Sequence, residues 1–188
     1  MIRFDHVSFS YADTPVLTDL SFECPTGEVV WLSGGNGHGK STAIHLALGL
    51  LTPDSGSVEA NGILSAVFQE NRLCDHLTAI ANVRLGLSSP VSNDTILAEL
   101  CQAGLSEQDA ARPVSQLSGG QRRRVALTRA LMRPSDILCL DEPYTGIDES
   151  SLADVVAYTL DRISTRSVLL SCHDADLAMS FSPVVVSL

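Results

Sequence analysis

Residues 34–41, Gly-Gly-Asn-Gly-His-Gly-Lys-Ser, have the types and the order that hold phosphate groups. They fit the pattern G-x-x-x-x-G-K-[ST] of a nucleotide-binding loop. Glycines let backbone N–H groups turn towards phosphate oxygens, and a helix starting near Lys40 adds its positive end. The pattern assigns Lys40 to the β- and γ-phosphates and Ser41 to Mg²⁺. The residues predicted to contact the nucleotide here are Gly34, Gly35, Asn36, Gly37, His38, Gly39, Lys40, Ser41 and Thr42.

A second candidate anion site lies further along, where residues 117–121 are Leu-Ser-Gly-Gly-Gln. Ser118 and two glycines at a predicted helix start can bind an anion, although the same residues also make an ordinary helix N-cap.

The third candidate is an apolar run, residues 137–142, that ends in two carboxylates, Asp141 and Glu142. A carboxylate at a strand end can hold Mg²⁺ through water, and we assign that role to Asp141. Alone, this pattern would indicate only a solvated acidic turn. The two preceding motifs favour the metal site.

In this order the three segments resemble ABC-type ATPases, the nucleotide-binding subunits that power membrane transporters. The resemblance runs from about Ile2 to the C-terminus. It implies ATP and Mg²⁺ as cofactors. It also implies an α/β fold: a P-loop NTPase core with a parallel sheet, an N-terminal antiparallel β subdomain and a small inserted helical subdomain at about residues 70–115. All of this lies in a single domain of residues 1–188.

The resemblance also implies roles for individual residues. Glu142 would polarise the attacking water, and a general base needs only hydrogen-bond reach of that water. Gln69 would touch Mg²⁺ and the same water, His173 would contact the γ-phosphate, and Tyr11 would stack on adenine. The implied catalytic residues are Glu142, His173 and Gln69, and the implied metal-binding residues are Ser41, Gln69 and Asp141.

A head-to-tail dimer is a further implication, because one chain could not bring residues 117–121 to its own nucleotide. The partner copy would be identical or a paired ABC subunit. The residues of one copy that would close on the γ-phosphate held by the other copy's Lys40 are Ser118, Gly119, Gly120 and Gln121. The loop of residues 145–148 would cross the interface. It departs from the commoner Ser-Ala-Leu-Asp but keeps Asp148.

Two residues depart from the usual loop of the family. His38 stands where a small residue is common, and Gly35 where proline is common. Neither should stop phosphate binding, and His38 is interpreted as a bystander. The three consecutive arginines, residues 122–124, are interpreted as a solvated helix face with salt bridges and not as a nucleic-acid patch.

Hydrophobic periodicity predicts strands that alternate with helices, which indicates a parallel α/β core. Predicted strands cover residues 2–9, 16–22, 28–32, 65–68, 136–140, 167–171 and 183–188. Residues 57–64, broken at Asn61-Gly62, are predicted to form a β-hairpin. Predicted helices cover residues 41–51, 78–87, 95–103, 118–133, 148–163 and 175–179, with a further short helix beginning near Ser106.

Composition narrows the function classes. A formal net charge of −10 argues against general nucleic-acid binding. The sequence contains no run of about 18 apolar residues, so a membrane span is not expected. The N-terminus lacks the pattern of a signal peptide. The cysteines are scattered, as expected of buried thiols in a reducing cytoplasm and not of a zinc site or disulfide framework: Cys24, Cys74, Cys101, Cys139 and Cys172.

The predicted partner is a membrane permease that docks near residues 70–87, with a solute-binding protein reached through it. The amino-acid sequence of that segment is similar to the corresponding segment of importers of the nitrate, sulfonate and taurine type. A bacterial small-solute importer, cytoplasmic and peripheral on the inner face of the membrane, is therefore expected. Two alternatives stay open: a soluble ABC ATPase that acts as an assembly factor or scaffold, and a non-catalytic nucleotide-binding module. The intact Lys40, Gln69, Glu142 and His173 count against the latter.

Overall fold

The computed structural model describes residues 1–163 and 165–188. Its strands are β1 (Ile2–Tyr11), β2 (Thr14–Cys24), β3 (Val29–Ser33), β4 (Ser55–Ala60), β5 (Leu64–Val67), β6 (Ile137–Asp141), β7 (Ser167–Ser171) and β8 (Val184–Ser187). Its helices are α1 (Lys40–Ala47), α2 (Ala79–Arg84), α3 (Asn93–Gln102), α4 (Glu107–Ala110), α5 (Gly119–Met132), α6 (Glu149–Ile163) and α7 (Ala175–Met179), with a 3₁₀ turn at Val114–Gln116. The predicted elements are present with boundaries shifted by a few residues, except for the hairpin.

Contacts group the chain into two units. The first contains residues 1–66, 135–142 and 165–188, and the described residues of the second are 67–134 and 143–163. The predicted helical subdomain of about residues 70–115 falls inside the second unit, and its boundaries stay a prediction.

Two sheets form the first unit. An antiparallel sheet has the order β2-β1-β4, and a five-stranded sheet has the order β5-β6-β7-β3-β8, in which β3 pairs in parallel with β7 and β8, and β6 with β7. This arrangement confirms the predicted parallel core and N-terminal antiparallel subdomain. Since β6 and β7 are buried along their whole length, their sequences are nearly continuous apolar runs.

The parallel strands also determine where polar residues meet. Ser33, Asp141 and Ser171 are the last residues of β3, β6 and β7, three neighbouring strands of one sheet. Parallel strands end at the same edge, which is where ligands bind in such sheets. Helix α1 packs against β6 and β7 through a buried apolar face.

The predicted hairpin of residues 57–64 is wrong. Strand β4 pairs with β1, whereas β5 belongs to the five-stranded sheet. Asn61 lacks the positive φ that a type I′ turn requires. Instead Asp136 Oδ2 accepts the Ile63 N–H at 2.7 Å, and a Cβ at Gly62 would lie 2.6 Å from Asp136 Cβ. This distant carboxylate turns the chain out of one sheet and into the other.

The second unit is built from helices around its own apolar cluster. Val83 of α2, Ile96 and Leu100 of α3, and Val125 of α5 are fully buried in it. Cys101 of α3 is exposed, so the prediction that the cysteines are buried thiols is wrong for this residue. Ser106 caps α4 by accepting the Asp109 N–H at 3.1 Å, as predicted from the sequence. No helix in the described part of the chain is both long and apolar enough to span a membrane.

Candidate nucleotide-binding site

Residues 34–39 join β3 to α1, and Lys40 and Ser41 begin the helix, as the loop pattern predicts. Gly39 has a φ of +90°, and a Cβ there would lie 2.7 Å from Leu17 Cδ2 and 3.0 Å from Val16 Cγ1. Both the backbone conformation and the crowding restrict this position to glycine. Among the described residues no side chain caps α1 at Gly39. The N–H groups at this helix end can therefore bind an anion.

Lys40 is the first residue of α1 and is only 7% exposed. Its Nζ donates to the carbonyl oxygens of Gly34 at 2.7 Å and of Gly35 at 2.9 Å. Both acceptors are neutral, and a bond from an ammonium to a phosphate oxygen is stronger than a bond to a carbonyl. Lys40 can therefore exchange these carbonyls for phosphate. Thr42, also assigned to the nucleotide, is buried in the first turn of α1.

Asp141 is the centre of a hydrogen-bonded group at the sheet edge. Its Oδ1 accepts from Ser41 Oγ at 3.1 Å and from Ser171 Oγ at 2.6 Å, and the carboxylate is 2% exposed. Mg²⁺ prefers oxygen ligands and usually keeps several waters, so Ser41 and Asp141 fit the predicted metal. Ser171 was missed in the sequence. The available signal was a polar residue that ends an apolar strand, as Asp141 does.

Glu142 has an unusual backbone. Its φ is +49°, an uncommon conformation for a residue with a side chain. The Glu142 N–H donates to Ser171 Oγ at 3.0 Å, which helps to hold the turn. His173 Nε2 lies 3.3 Å from Glu142 Oε1. The structure thus brings together two residues predicted to be catalytic, and backbone strain of this kind occurs frequently at functional sites.

Tyr11 lies at the end of β1 with half of its surface exposed. Its ring contacts Phe9 edge to face, with centroids 4.9 Å apart. The exposed ring suits the predicted stacking on adenine, which stays a prediction.

The predicted γ-phosphate residues 118–121 belong to the second unit, at the start of α5. Ser118 Oγ accepts the Gln121 N–H at 3.2 Å, and Gln121 Oε1 accepts the Ser118 N–H at 2.9 Å, which makes a capping box. Gln121 Nε2 also donates to Asp109. Gln121 therefore already has a structural role within its own chain.

The two glycines of this segment differ in their surroundings. A Cβ at Gly120 would lie 2.7 Å from the Gly146 carbonyl oxygen, so packing requires glycine there. A Cβ at Gly119 would meet nothing within 4 Å among the described residues. The part of the chain that the structure describes thus leaves open space beside the Gly119 Cα.

Gln69 also lies in the second unit, and so in a different unit from Asp141, Glu142 and His173. Its predicted contact with the metal stays a prediction. Its backbone is held by Arg123, whose Nη1 donates to the carbonyl oxygens of Phe68 at 2.6 Å and of Gln69 at 3.2 Å.

The interpretation of residues 122–124 as a solvated face is wrong for two of the three arginines. Arg122 is partly exposed and pairs with Asp75 at 2.6 Å, as expected. Arg123 and Arg124, however, are only 2% and 7% exposed. Successive helical positions point in directions about 100° apart, so three adjacent side chains cannot share one exposed face.

The buried arginines bond to neighbouring segments. Besides residues 68 and 69, Arg123 donates to Asn71 Oδ1 and, from Nε, to the Pro143 carbonyl at 3.0 Å. Arg124 donates to the Gly104 carbonyl and to Asp148 Oδ2, each at 2.7 Å. They join α5 to residues 68–71, to Gly104 and to residues 143–148.

Comparison with known protein families identifies the class of phosphate-binding protein. The family model described as ABC transporter matches residues 17–145. The chain belongs to the ABC transporter family. The match spans the phosphate-binding loop, the Leu-Ser-Gly-Gly-Gln motif and the acidic strand end, and it confirms the resemblance seen in the sequence.

Curated relatives of this ABC chain are named as import ATP-binding proteins. Thiamine import ATP-binding protein ThiQ of Mesorhizobium japonicum is 37% identical over 82% of the chain and 66% of its own length. Zinc import ATP-binding protein ZnuC of Pseudomonas fluorescens is 36% identical over 100% and 73%. Aliphatic sulfonates import ATP-binding protein SsuB 1 of Rhodococcus jostii is 37% identical over 97% and 76%. The chain thus spans about two thirds to three quarters of the length of these relatives.

Solved structures agree on the fold. The dimeric structure of MJ0796, a bacterial ABC transporter cassette, superposes with a TM-score of 0.88 at 26% identity and covers 100% of this chain and 94% of the other. The same cassette in a post-hydrolysis state bound to ADP and Pi gives 0.87 at 25% identity, with the same coverage. The predicted P-loop NTPase fold is confirmed, and the chain is an ATP-binding ATPase subunit of the ABC type.

Proposed function

We propose that this ATPase drives a membrane transporter by closing and reopening a head-to-tail dimer around two ATP molecules. The observation that carries the proposal is the group of Ser41, Asp141, Glu142 and His173, with Ser171, at the edge where three parallel strands end. These groups provide ligands for a hydrated cation, a carboxylate base and a polar side chain beside it. Phosphoryl transfer to water requires that combination.

Residues of the loop would bind the triphosphate. Lys40 would leave the Gly34 and Gly35 carbonyls for the β- and γ-phosphates, and the free N–H groups at the start of α1 would complete the cradle. Ser41 and Asp141 would hold Mg²⁺, which neutralises charge on the phosphates. Tyr11 would stack on adenine, and Gln69 would reach the metal and the attacking water.

Glu142 would accept a proton from the attacking water. Its position is set by the backbone bonds of Glu142 N–H to Ser171, and its Oε1 faces His173 Nε2 at 3.3 Å. His173 would contact the γ-phosphate, so that one pair of side chains touches both the nucleophile and the group it attacks. Most of the rate would come from positioning and charge stabilisation.

The open space at Gly119 supports the composite site. No described residue of the same chain occupies the space beside Gly119. A phosphate group approaching the N-terminal end of α5 would require that space. Ser118, Gly119 and Gly120 of one copy would close on the γ-phosphate held by the other copy. The structurally similar MJ0796 cassette is described as dimeric, which supports a dimer of this chain.

A role in transport would require that the dimer bind a membrane permease and lie at the membrane. We propose that a permease docks near residues 70–87, where Leu85 is 61% exposed, and that the subunit works on the inner face of the cell membrane. Relatives named as importers support import, with a solute-binding protein reached through the permease. Three relatives of similar identity are named for three different solutes, so the proposal stops at a small solute.

The test is the variant Glu142→Gln. It should keep ATP binding, lose turnover and accumulate as an ATP-bound dimer, because the base is lost while the phosphate contacts remain. Nucleotide binding, phosphate release and mass by light scattering are measured on one preparation. Glu59→Gln, on the exposed face of β4, is the matched control and should behave as the unmodified chain. Unchanged ATPase activity in Glu142→Gln would overturn the role of Glu142.

A further inference from the structure

His38 and Gly35, the two departures from the usual loop, are in direct contact. The Gly35 N–H donates to His38 Nδ1 at 2.8 Å. A Cβ at residue 35 would lie 3.1 Å from His38 Cε1 and 3.3 Å from Nδ1. The imidazole ring therefore lies against the face of Gly35 and uses its amide. Nδ1 can accept this bond only in the tautomer that carries its proton on Nε2.

This contact makes each residue depend on the other. Proline at position 35 would remove the N–H that His38 accepts and would add atoms against the ring. A small side chain at position 38 has no ring with which to cover Gly35. A histidine at 38 thus requires a residue with a free N–H and little bulk at 35, and glycine satisfies both conditions.

The same peptide segment holds Lys40. The Gly35 carbonyl accepts from Lys40 Nζ at 2.9 Å and from the His38 N–H at 3.3 Å. Both polar groups of the Gly35 backbone are thus bonded within the loop, and one of them is bonded to the lysine. A change at His38 would reach Lys40 through Gly35.

We propose that His38 is a positioning residue for ATP binding. By accepting the Gly35 N–H it fixes the backbone conformation of the loop beside Lys40, so that this conformation does not have to be ordered when ATP binds. His38 and Gly35 act as one unit in place of the proline and small residue of the usual loop. The inference rests on the proposed function, which assigns Lys40 to the phosphates. The proposed role differs from the interpretation of His38 as a bystander.

Two substitutions at position 38 separate hydrogen bonding from space filling. Asparagine carries Oδ1 the same number of bonds from the backbone as Nδ1 of histidine, whereas leucine fills space and accepts nothing. One hydrogen bond of ordinary strength corresponds to about a fivefold change in affinity. His38→Leu should therefore raise the Kd and KM for ATP about fivefold with kcat nearly unchanged, and His38→Asn should restore the original values.

A double-mutant cycle tests the dependence of one residue on the other. Gly35→Pro in the unmodified chain should weaken ATP binding about tenfold. In a chain that already carries His38→Ser, the same substitution should weaken binding less than threefold, because no hydrogen bond to an imidazole ring is left to break. Independent, multiplicative effects would overturn the coupling. Equal values for His38→Asn and His38→Leu would overturn the hydrogen-bond role, and a fall in kcat at constant KM would indicate direct contact with the reacting groups instead.

Controls separate this inference from the proposed function. His6→Asn changes an exposed histidine on β1 and should leave both constants unchanged. ATP binding by the unmodified chain is measured first, together with its loss in Lys40→Met. Absence of ATP binding would overturn the proposed function itself. Binding that is lost in Lys40→Met but insensitive to position 38 would overturn only the role of His38.

Discussion

Two cations lie buried at comparable depth in the two units, and they are held in different ways. Lys40, the first residue of α1 in the first unit, donates to two carbonyls of the preceding loop. Arg123, on α5 of the second unit, donates to three separate backbone carbonyls and an amide oxygen. An ammonium on a flexible stem can change partners, whereas a planar guanidinium with several bonds in fixed directions cannot do so easily. The buried charge of Lys40 can therefore exchange its partners for a ligand, whereas the buried charge of Arg123 has a fixed structural role.

The largest expected effect is on Arg123. Arg123→Ala should lower the free energy of unfolding by about 3 kcal/mol or more, because each buried acceptor left without a donor costs about 1–3 kcal/mol. Chemical denaturation followed by circular dichroism measures the change. Arg122→Ala, the neighbouring position on the same helix, is the control and should cost less than about 1 kcal/mol, since its pair with Asp75 is exposed. Equal losses in the two variants would remove the distinction.

Lys40→Met should give an intermediate effect on stability and a large one on binding. The free energy of unfolding should change by less than about 1 kcal/mol, because Gly34 is partly exposed and Gly35 is exposed, so water can replace the lysine at both carbonyls. ATP affinity should fall at least about tenfold, since charge-assisted bonds to phosphate are lost. Titration with a fluorescent nucleotide and denaturation of the same sample measure both. A loss of unfolding free energy as large as in Arg123→Ala would show that Lys40 also has a fixed structural role.

The smallest effect concerns Asp148, which anchors Arg124 from the surface. Hydrogen bonds from Ser151 and Ser150, with the charge of Arg124 adding to them, lower the pKa of Asp148 from 3.8 to about 2. Because the folded pKa is the lower one, this stabilisation is present above pH 3.8 and is lost as the pH falls towards 2. Asp148→Asn should thus be slightly less stable at pH 7, with a difference that shrinks on acidification. A difference that grows in acid would contradict this assignment.

The sequence predicted the loop, the acidic strand end and the capped helix because each depends on local chemistry. Lys40 follows a glycine at a helix start, and Asp141 ends an apolar strand, so their surroundings can be inferred from adjacent residues. Their roles at ATP remain predictions, but their positions were foreseeable.

Long-range contacts account for what the sequence did not predict. Asn61-Gly62 has the local signature of a hairpin, and Asp136, far away in the sequence, overrides it. The sequence around Arg123 predicts a solvated side chain. In the structure it is buried and donates to the carbonyl oxygens of Phe68 and Pro143. Ser171 is recognisable in the sequence only as a polar residue that ends an apolar strand, and its specific role comes from Asp141 on the neighbouring strand.

Gly119 has a consequence for how this chain could evolve or be engineered. Glycine loses more conformational freedom on folding than alanine does, and the described structure has room for a methyl group at Gly119, the first residue of α5. Selection for stability of the isolated chain would therefore replace Gly119 with alanine. If the glycine is kept, the constraint comes from outside the chain, and position 119 becomes a place where stability and assembly are in conflict.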